Sequence, residues 1–258
     1  MTISSPSSSE TPEPTPARRR GRGPDLILVE ETAVWLEVNG RPAVTWMCTP
    51  ELLEELAVGW LHGEGYIQTR KDLRSLRPCA TDLGFWAEID DERARTVQAE
   101  GRTPVLASGC GAVPVFLADP ASAPLGAPRG EAPPAERLRS QFKALFAAGA
   151  RYQDTGGIHA AALSTEHGLL HHAEDIGRHN AVDKVIGAAL LHDRSPAGLG
   201  LLVTGRISAE LAFKAARADI AWIATPSVPS TLAGVVAQRT GMTLVGRAVS
   251  GTPQVHRP

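Results

Sequence analysis

Glu174-Asp175-Ile176-Gly177-Arg178-His179-Asn180-Ala181-Val182-Asp183-Lys184-Val185-Ile186-Gly187 is the stretch from which the rest of the chain can be read. Val182, Val185, Ile186, Ala189 and Leu190 recur at three- and four-residue intervals, so a helix follows that buries one stripe. Asn180 is a favourable N-cap, and Asp183 three residues later resembles a capping box with Asp in place of the usual Glu. That reading leaves Asp175, Arg178, His179 and Lys184 without a task, and it sets Lys184 near the positive end of the helix dipole, where a cation is disfavoured. The stretch reads either as a functional cluster or as a solvated turn opening a helix.

Outward from this helix, the second half alternates strands and helices, the pattern of an α/β layer structure. Residues 158–164 and 169–173 read as strands joined by the His167-Gly168 turn, and 199–203 as the strand after the helix. Helix 209–218, strand 220–224, helix 231–239 and strand 242–249 follow. In such a sheet, ligands sit where strand ends meet helix starts. The turns 204–210 and 225–231, rich in hydroxyls, glycine and proline, suit an anionic or nucleotide-like group.

The first half reads as mainly β. Val34, Leu36 and Val38 alternate with Trp35 and Glu37, Asn39-Gly40 makes a two-residue hairpin turn, and the return strand runs from Ala43 to Cys48. Cys48 shares a face with Val44 and Trp46, the position of a core residue. Thr49 as N-cap and Pro50 at the first helical position predict a helix ending near Gly63-Glu64-Gly65. Strands are expected at 83–89 and 94–99, and Cys79 falls in a loop. Residues 118–134 are rich in Ala, Pro and Gly and read as a linker, followed by a helix over 135–149. The divisions are a disordered tail (1–24), a smaller β-rich domain (25–118), the linker (119–134) and a layered α/β domain (135–258).

With 26 basic against 28 acidic residues, no global field favours nucleic acid or an anionic membrane, and no apolar run approaches the roughly 20 residues that span a bilayer. The tail ends in Arg18-Arg19-Arg20-Gly21-Arg22 without the apolar segment a secretion signal would need. Three cysteines form no disulfide framework and point to reduced thiols in a cytoplasmic setting. Histidines gather in the second half, but no Cys-x2-Cys pair supplies the thiol ligands of a structural zinc site, so no metal is expected. Cys110, in Ser108-Gly109-Cys110-Gly111, sits between two glycines that free the backbone. It reads equally as a small buried residue at a tight turn or as a reactive thiol; nothing beside it would lower its pKa.

The Glu174–Gly187 stretch closely resembles the signature of the formate dehydrogenase accessory sulfurtransferase family, FdhD/NarQ. Glu54-Glu55-Leu56-Ala57-Val58-Gly59-Trp60-Leu61, Thr155-Gly156-Gly157-Ile158-His159, Thr204-Gly205-Arg206-Ile207-Ser208 and Gly241-Met242-Thr243-Leu244-Val245-Gly246 agree with it in family order. The resemblance implies a cytidine deaminase-like α/β fold for the second half, without the deaminase zinc motif. It implies a sulfurtransferase that accepts persulfide sulfur from a cysteine desulfurase. The sulfur then goes to the molybdenum of a bis(molybdopterin guanine dinucleotide) cofactor, needed for formate dehydrogenase activity. Cys110 matches the persulfide cysteine, and Val113 stands where many members have a second cysteine. Arg247, Ala248, Val249, Ser250, Gly251 and Thr252 match the segment assigned to the guanine dinucleotide, though Arg247 and Val249 depart from its aromatic-x-Arg pattern. Asp175, Arg178, His179, Asn180, Arg206 and Ser208 would add donors for a GDP-like moiety. The implied partners are a cysteine desulfurase and formate dehydrogenase, and a homodimer is compatible with the sequence. The alternative is a chaperone that holds the cofactor without transferring sulfur.

Overall fold

A computed structural model describes residues 27–99, the short paired strands Val105–Leu106 and Ala112–Val113, and residues 129–258. Cys110, the 1–24 tail and most of the linker lie outside the described residues.

The chain starts with strands β1 (Thr32–Val38) and β2 (Arg41–Cys48), an antiparallel hairpin. Asn39 and Gly40 form its turn with φ of 50° and 74°, the left-handed pair that a two-residue hairpin requires. Val34, Leu36 and Val38 are buried while Trp35 and Glu37 are not, the period-2 pattern of a half-buried strand. Helix α1 (Leu53–Gly63) follows, then β3 (Ser75–Pro78), β4 (Gly84–Glu88) and α2 (Asp91–Ala99). These strands make a four-stranded sheet ordered β2-β1-β4-β3.

Two expectations change here. Residues 94–99 belong to α2 rather than a strand, because the Asp90 carboxylate accepts from the Glu92 and Arg93 amides and caps a run of good helix formers. The helix after β2 begins at Leu53, not Pro50; Thr49 does not cap it but accepts a hydrogen bond from Ile176 N (3.1 Å).

Val105–Leu106 and Ala112–Val113 (β5 and β6) pair antiparallel. After α3 (Ala135–Ala148) and the short α4 (Ala150–Thr155) come β7 (His159–Thr165), β8 (Gly168–Asp175), α5 (Arg178–Leu191) and β9 (Gly200–Val203). Then follow α6 (Ala209–Arg217), β10 (Trp222–Ala224), α7 (Thr231–Thr240), β11 (Thr243–Gly246) and β12 (Gln254–His256). The second sheet is ordered β12-β11-β10-β9-β7-β8. β9, β10 and β11 run parallel, joined through α6 and α7, while β7 runs against both its neighbours and β12 against β11. The α/β class expected from the sequence is what the structure has.

Alternate residues of the second sheet face different layers. Ala161, Leu163, Leu201, Val203, Ile223 and Leu244 join one core with α5, α6, α7, α1 and the first sheet's buried residues. Ala160, Ala162, Leu202, Ala224 and Val245 face a second core with Leu138, Phe142 and Leu145 of α3. The first core is continuous from Val34 to Leu244, so both sheets share it. At its centre, α1 crosses α5 at backbone contact. A Cβ on Gly59 would overlap the Asp183 carbonyl, and one on Gly187 would overlap the Glu55 carbonyl. Because α5 is packed from every side, Arg178 through Leu190 are all buried, which its amphipathic spacing alone would not predict.

Candidate functional site

Strand direction decides what meets at one edge of the second sheet. β8 is parallel to β9, with β7 reversed between them, so the ends of β8, β9, β10 and β11 and the start of β7 coincide there. Helices α5, α6 and α7 start at this edge, and each helix start carries roughly half a positive charge and free backbone N–H groups. Ser208 caps α6 by accepting from Leu211 N (3.4 Å), and Ser230 caps α7 by accepting from Ala233 N (3.1 Å).

The loops of this edge are tied to one another. Thr225 Oγ1 donates to the Gly205 carbonyl (2.7 Å), and Ile207 N and Ser230 N complete a crossed pair with Val228 and Ile207 carbonyls. Arg247 N donates to Ser227 O (2.8 Å) and Ala248 N to Thr225 O (2.9 Å), bringing the segment after β11 against the α7 loop. Arg178 and His159 both abut Gly205: a Cβ there would stand 3.2 Å from Arg178 Cδ and from His159 Cε1. Burial, then the Arg178 charge, holds His159 below its usual pKa, so it is a neutral neighbour of that guanidinium near pH 7.

Residues of the opening stretch divide into two groups. Asp175 and Lys184 are fully buried and paired at 2.6 Å. Asp175 also accepts from Thr49 N (3.1 Å), Gly177 N (2.8 Å) and Asn180 Nδ2 (3.0 Å), while Lys184 donates to the Thr49 carbonyl (3.0 Å). Asn180 donates as well to Met47 O (3.0 Å) and does not cap α5, which starts two residues earlier with Gly177 as its N-cap. The three side chains sew the end of β2 to the β8–α5 turn and so fix where the α5 start points. Lys184 sits near the positive helix end because a buried carboxylate lies against it.

The second group lies toward α6. His179 Nε2 is 3.1 Å from Ser208 Oγ and 3.3 Å from Glu210 Oε2. Burial, opposed by Lys214, pushes the Glu210 carboxyl up to about 7, so Glu210 changes charge near neutrality. Behind it, Lys214 donates to both oxygens of Asp183 (2.9 and 2.7 Å) and approaches Glu64 at 4.0 Å. Against the penalty of burial, those two carboxylates hold Lys214 above its usual pKa, as an ammonium. Asp183, read from the sequence as a capping-box residue, pairs with Lys214 instead. Glu210, Lys214 and Glu64 had no role assigned from the sequence, since their pairing spans three helices.

Of the sequence-predicted residues, Arg206 is exposed at the edge, Ser208 is half-buried, and Arg178 and His179 are buried beside it, whereas the buried Asp175 and Asn180 bond to each other and to the end of β2. In the last segment, Arg247, Ser250, Gly251 and Thr252 are exposed, Val249 is half-buried against the α3 core, and Ala248 is fully buried. Arg247 and Gly251 take φ of 51° and 66°, turning the chain back into β12, and Arg139 donates to the Gly251 carbonyl (2.6 Å). Cys110 lies outside the described residues. Of the other thiols, Cys48 is buried and pushed up to about 11, so it stays protonated, and Cys79 is partly exposed beside Thr81. No group of three or more His, Cys, Asp or Glu able to hold a metal occurs among the described residues, and no described helix is long and apolar enough to cross a membrane.

The molecule is therefore a mixed α/β protein whose loops and helix starts converge on one polar, cation-lined sheet edge. It belongs to the FdhD/NarQ family, whose model matches residues 29–257. Similar proteins include the sulfur carrier protein FdhD of Streptomyces coelicolor, 37% identical over 237 residues (86% of this chain and 84% of that one). The protein of the same name from Mycobacterium tuberculosis is 38% identical over 240 residues, covering 86% of each chain. That of Bacillus subtilis is 33% identical over 232 residues (89% and 87%). A crystal structure of a candidate formate dehydrogenase accessory protein from Desulfotalea psychrophila superposes with a TM-score of 0.68 at 26% identity, covering 89% of this chain and 87% of that one.

Proposed function

We propose that this protein is a sulfur carrier serving formate dehydrogenase, with Cys110 carrying the sulfur as a persulfide in the cytoplasm. The observation that carries the reading is the convergence of Arg178, His179, Arg206, Ser208 and the 247–252 segment on one edge with three helix starts, in a chain whose curated relatives are named sulfur carriers. That edge suits a pyrophosphate-linked ligand: guanidinium forks pair with phosphate oxygens and helix N-termini favour anions. The cargo is the bis(molybdopterin guanine dinucleotide) cofactor, with its guanine dinucleotide arm along this edge. Asp175, Asn180 and Lys184 contribute by fixing the α5 start.

In the first step the Cys110 thiolate attacks the terminal sulfur of a cysteine desulfurase persulfide. The donor's S–S bond breaks, its cysteine leaves as a thiolate, and Cys110 becomes the persulfide. Delivery to the cofactor breaks the Cys110 S–S bond and returns Cys110 to a thiolate. The sulfur leaves at the zero oxidation level, so the reduced molybdenum of the cargo, as substrate, would supply the two electrons that make it a sulfido ligand. Cys48 is unsuited to the first step, because a buried thiol raised to about 11 supplies almost no thiolate at neutral pH.

Incubation with a cysteine desulfurase and cysteine, followed by mass spectrometry, tests this. The added sulfur is expected on Cys110 and absent in Cys110→Ala. Label on Cys79, or undiminished label in Cys110→Ala, refutes the mechanism. A second reading, a chaperone that holds the cofactor without transferring sulfur, is favoured by Val113 where a second family cysteine would stand. It predicts that Cys110→Ala still activates formate dehydrogenase.

A further inference from the structure

Away from the polar edge, where α5 and α6 finish, the structure has a cleft of about 870 Å3. Its wall is cationic and comes from four separate parts of the chain. Arg70 and Lys71 follow α1, Arg93 lies on α2, Arg194 follows α5, and Arg217 ends α6. Two acids line it too, Asp193 and Asp219, and Asp219 already pairs with Arg129 at 3.3 Å. The ends of α5 and α6 add about one unit of negative charge between them, which leaves the cleft cationic. The chain as a whole is acidic by two charges, so this concentration is local.

Several of these groups are held in place before any ligand arrives. Arg93 Nε donates to the Gly65 carbonyl (2.8 Å) and Arg70 Nη1 to the Leu73 carbonyl (2.9 Å). Arg217 lies directly over Gly65, where a Cβ would overlap its Nη1, and Gly65 has φ of +81°. Beneath them the cleft is apolar, with Ile67 and Ala218 almost fully buried. His62 also lines it; it is 5% exposed and its Nδ1 has no hydrogen-bond partner. Burial, with Arg217 and Lys214 adding to it, holds His62 down to about 4, so it is a neutral imidazole with unused hydrogen-bonding capacity.

From this pre-set arginine rim over an apolar floor, we infer a second ligand site that binds a small phosphorylated organic anion, separate from the polar edge. The volume lies within the roughly 300–1,000 Å3 of small-molecule sites. Four arginines against one lysine favour phosphate, whose oxygens match the guanidinium fork. Fixed side chains lose less freedom on binding, which favours a discrete small molecule over a loosely held chain.

The probe is ATP, titrated calorimetrically into the full chain at about 0.15 M salt. Lys71→Glu/Arg194→Glu reverses two exposed charges of the rim, and binding is expected to weaken at least tenfold. Lys71→Ala/Arg194→Ala should lose less in the same direction, with circular dichroism confirming the fold. Arg206→Ala, at the polar edge, should leave this event unchanged. The inference is overturned if wild type does not bind, if the reversal variant binds as wild type, or if only Arg206→Ala weakens binding. A hexaglutamate peptide that binds the cleft when ATP does not would assign it to acidic protein segments instead.

Discussion

Replacing Lys184 by methionine keeps most of the side chain's volume and removes its charge. Lys184 and Asp175 are both without solvent exposure and 2.6 Å apart, so the substitution leaves a carboxylate stranded in the core. Breaking a buried pair from one side costs about 3–5 kcal/mol. Asp175 would keep its hydrogen bonds from Thr49 N, Gly177 N and Asn180 Nδ2, which places the loss at the lower end, about 3 kcal/mol. For a chain of this size that lowers Tm by roughly 6–12 °C. Asp175→Asn/Lys184→Met removes both charges, so it should be more stable than Lys184→Met alone, by about 1–3 kcal/mol. Urea denaturation of wild type, both single variants and the double variant closes the cycle. A loss below about 1 kcal/mol in Lys184→Met, or a double variant weaker than either single one, would show that the pair does not hold this turn.

At the polar edge, calorimetry is expected to detect GDP binding that weakens in Arg206→Ala and His179→Ala; no binding to wild type would count against the ligand assignment. Gly59→Ala forces a methyl into the Asp183 carbonyl, and a loss of about 1–3 kcal/mol or more by chemical denaturation is expected; a neutral result would mean that the α1–α5 crossing is loose. Two groups should give opposite pH dependences. Glu210, raised from 4.5 to about 7, binds more protons in the folded state, so its contribution is full below 4.5 and is lost as pH rises through 7. His62, lowered from 6.5 to about 4, binds fewer, so its contribution is present above 6.5 and is lost as pH falls through 4. Each is worth on the order of 3 kcal/mol and they oppose over pH 4.5–6.5. Glu210→Gln should therefore make stability climb more steeply with pH there than in wild type, and an unchanged profile would refute the placement of that charge.

Where local rules alone govern an element, the sequence was a good guide. The Asn39-Gly40 turn, the α3 helix and the strand–helix succession from residue 158 to 246 follow from turn chemistry and periodicity. Where a local signal competed with a distant partner, it misled. Thr49 and Asn180 look like helix caps, yet their side chains bond across 127 and 133 residues, to Ile176 and to Met47. Val97 and Ala94 suggested a strand until the Asp90 cap decided for a helix. β12 has three exposed residues and no apolar pattern, and only the free side of β11 gives it a place. The site followed the same division. Arg206, Ser208, His179 and the 247–252 segment were legible through the family motifs, whereas Glu210 became visible only once burial and the His179 contact were known.

The reversed course of β7 puts a residue from near position 159 beside residues near 178 and 205, and on the same sheet edge as those near 227 and 247. During synthesis these arrive in order, and each new strand extends the sheet by one place. The polar edge gains its last wall only when residues 247–251 have emerged and β12 has closed against β11. A nascent chain stopped after β10 would hold two of the parallel strands and most of the first core, yet no complete ligand edge. On the proposed reading, ligand capture is thereby reserved for chains whose translation has run through the segment that turns back into β12.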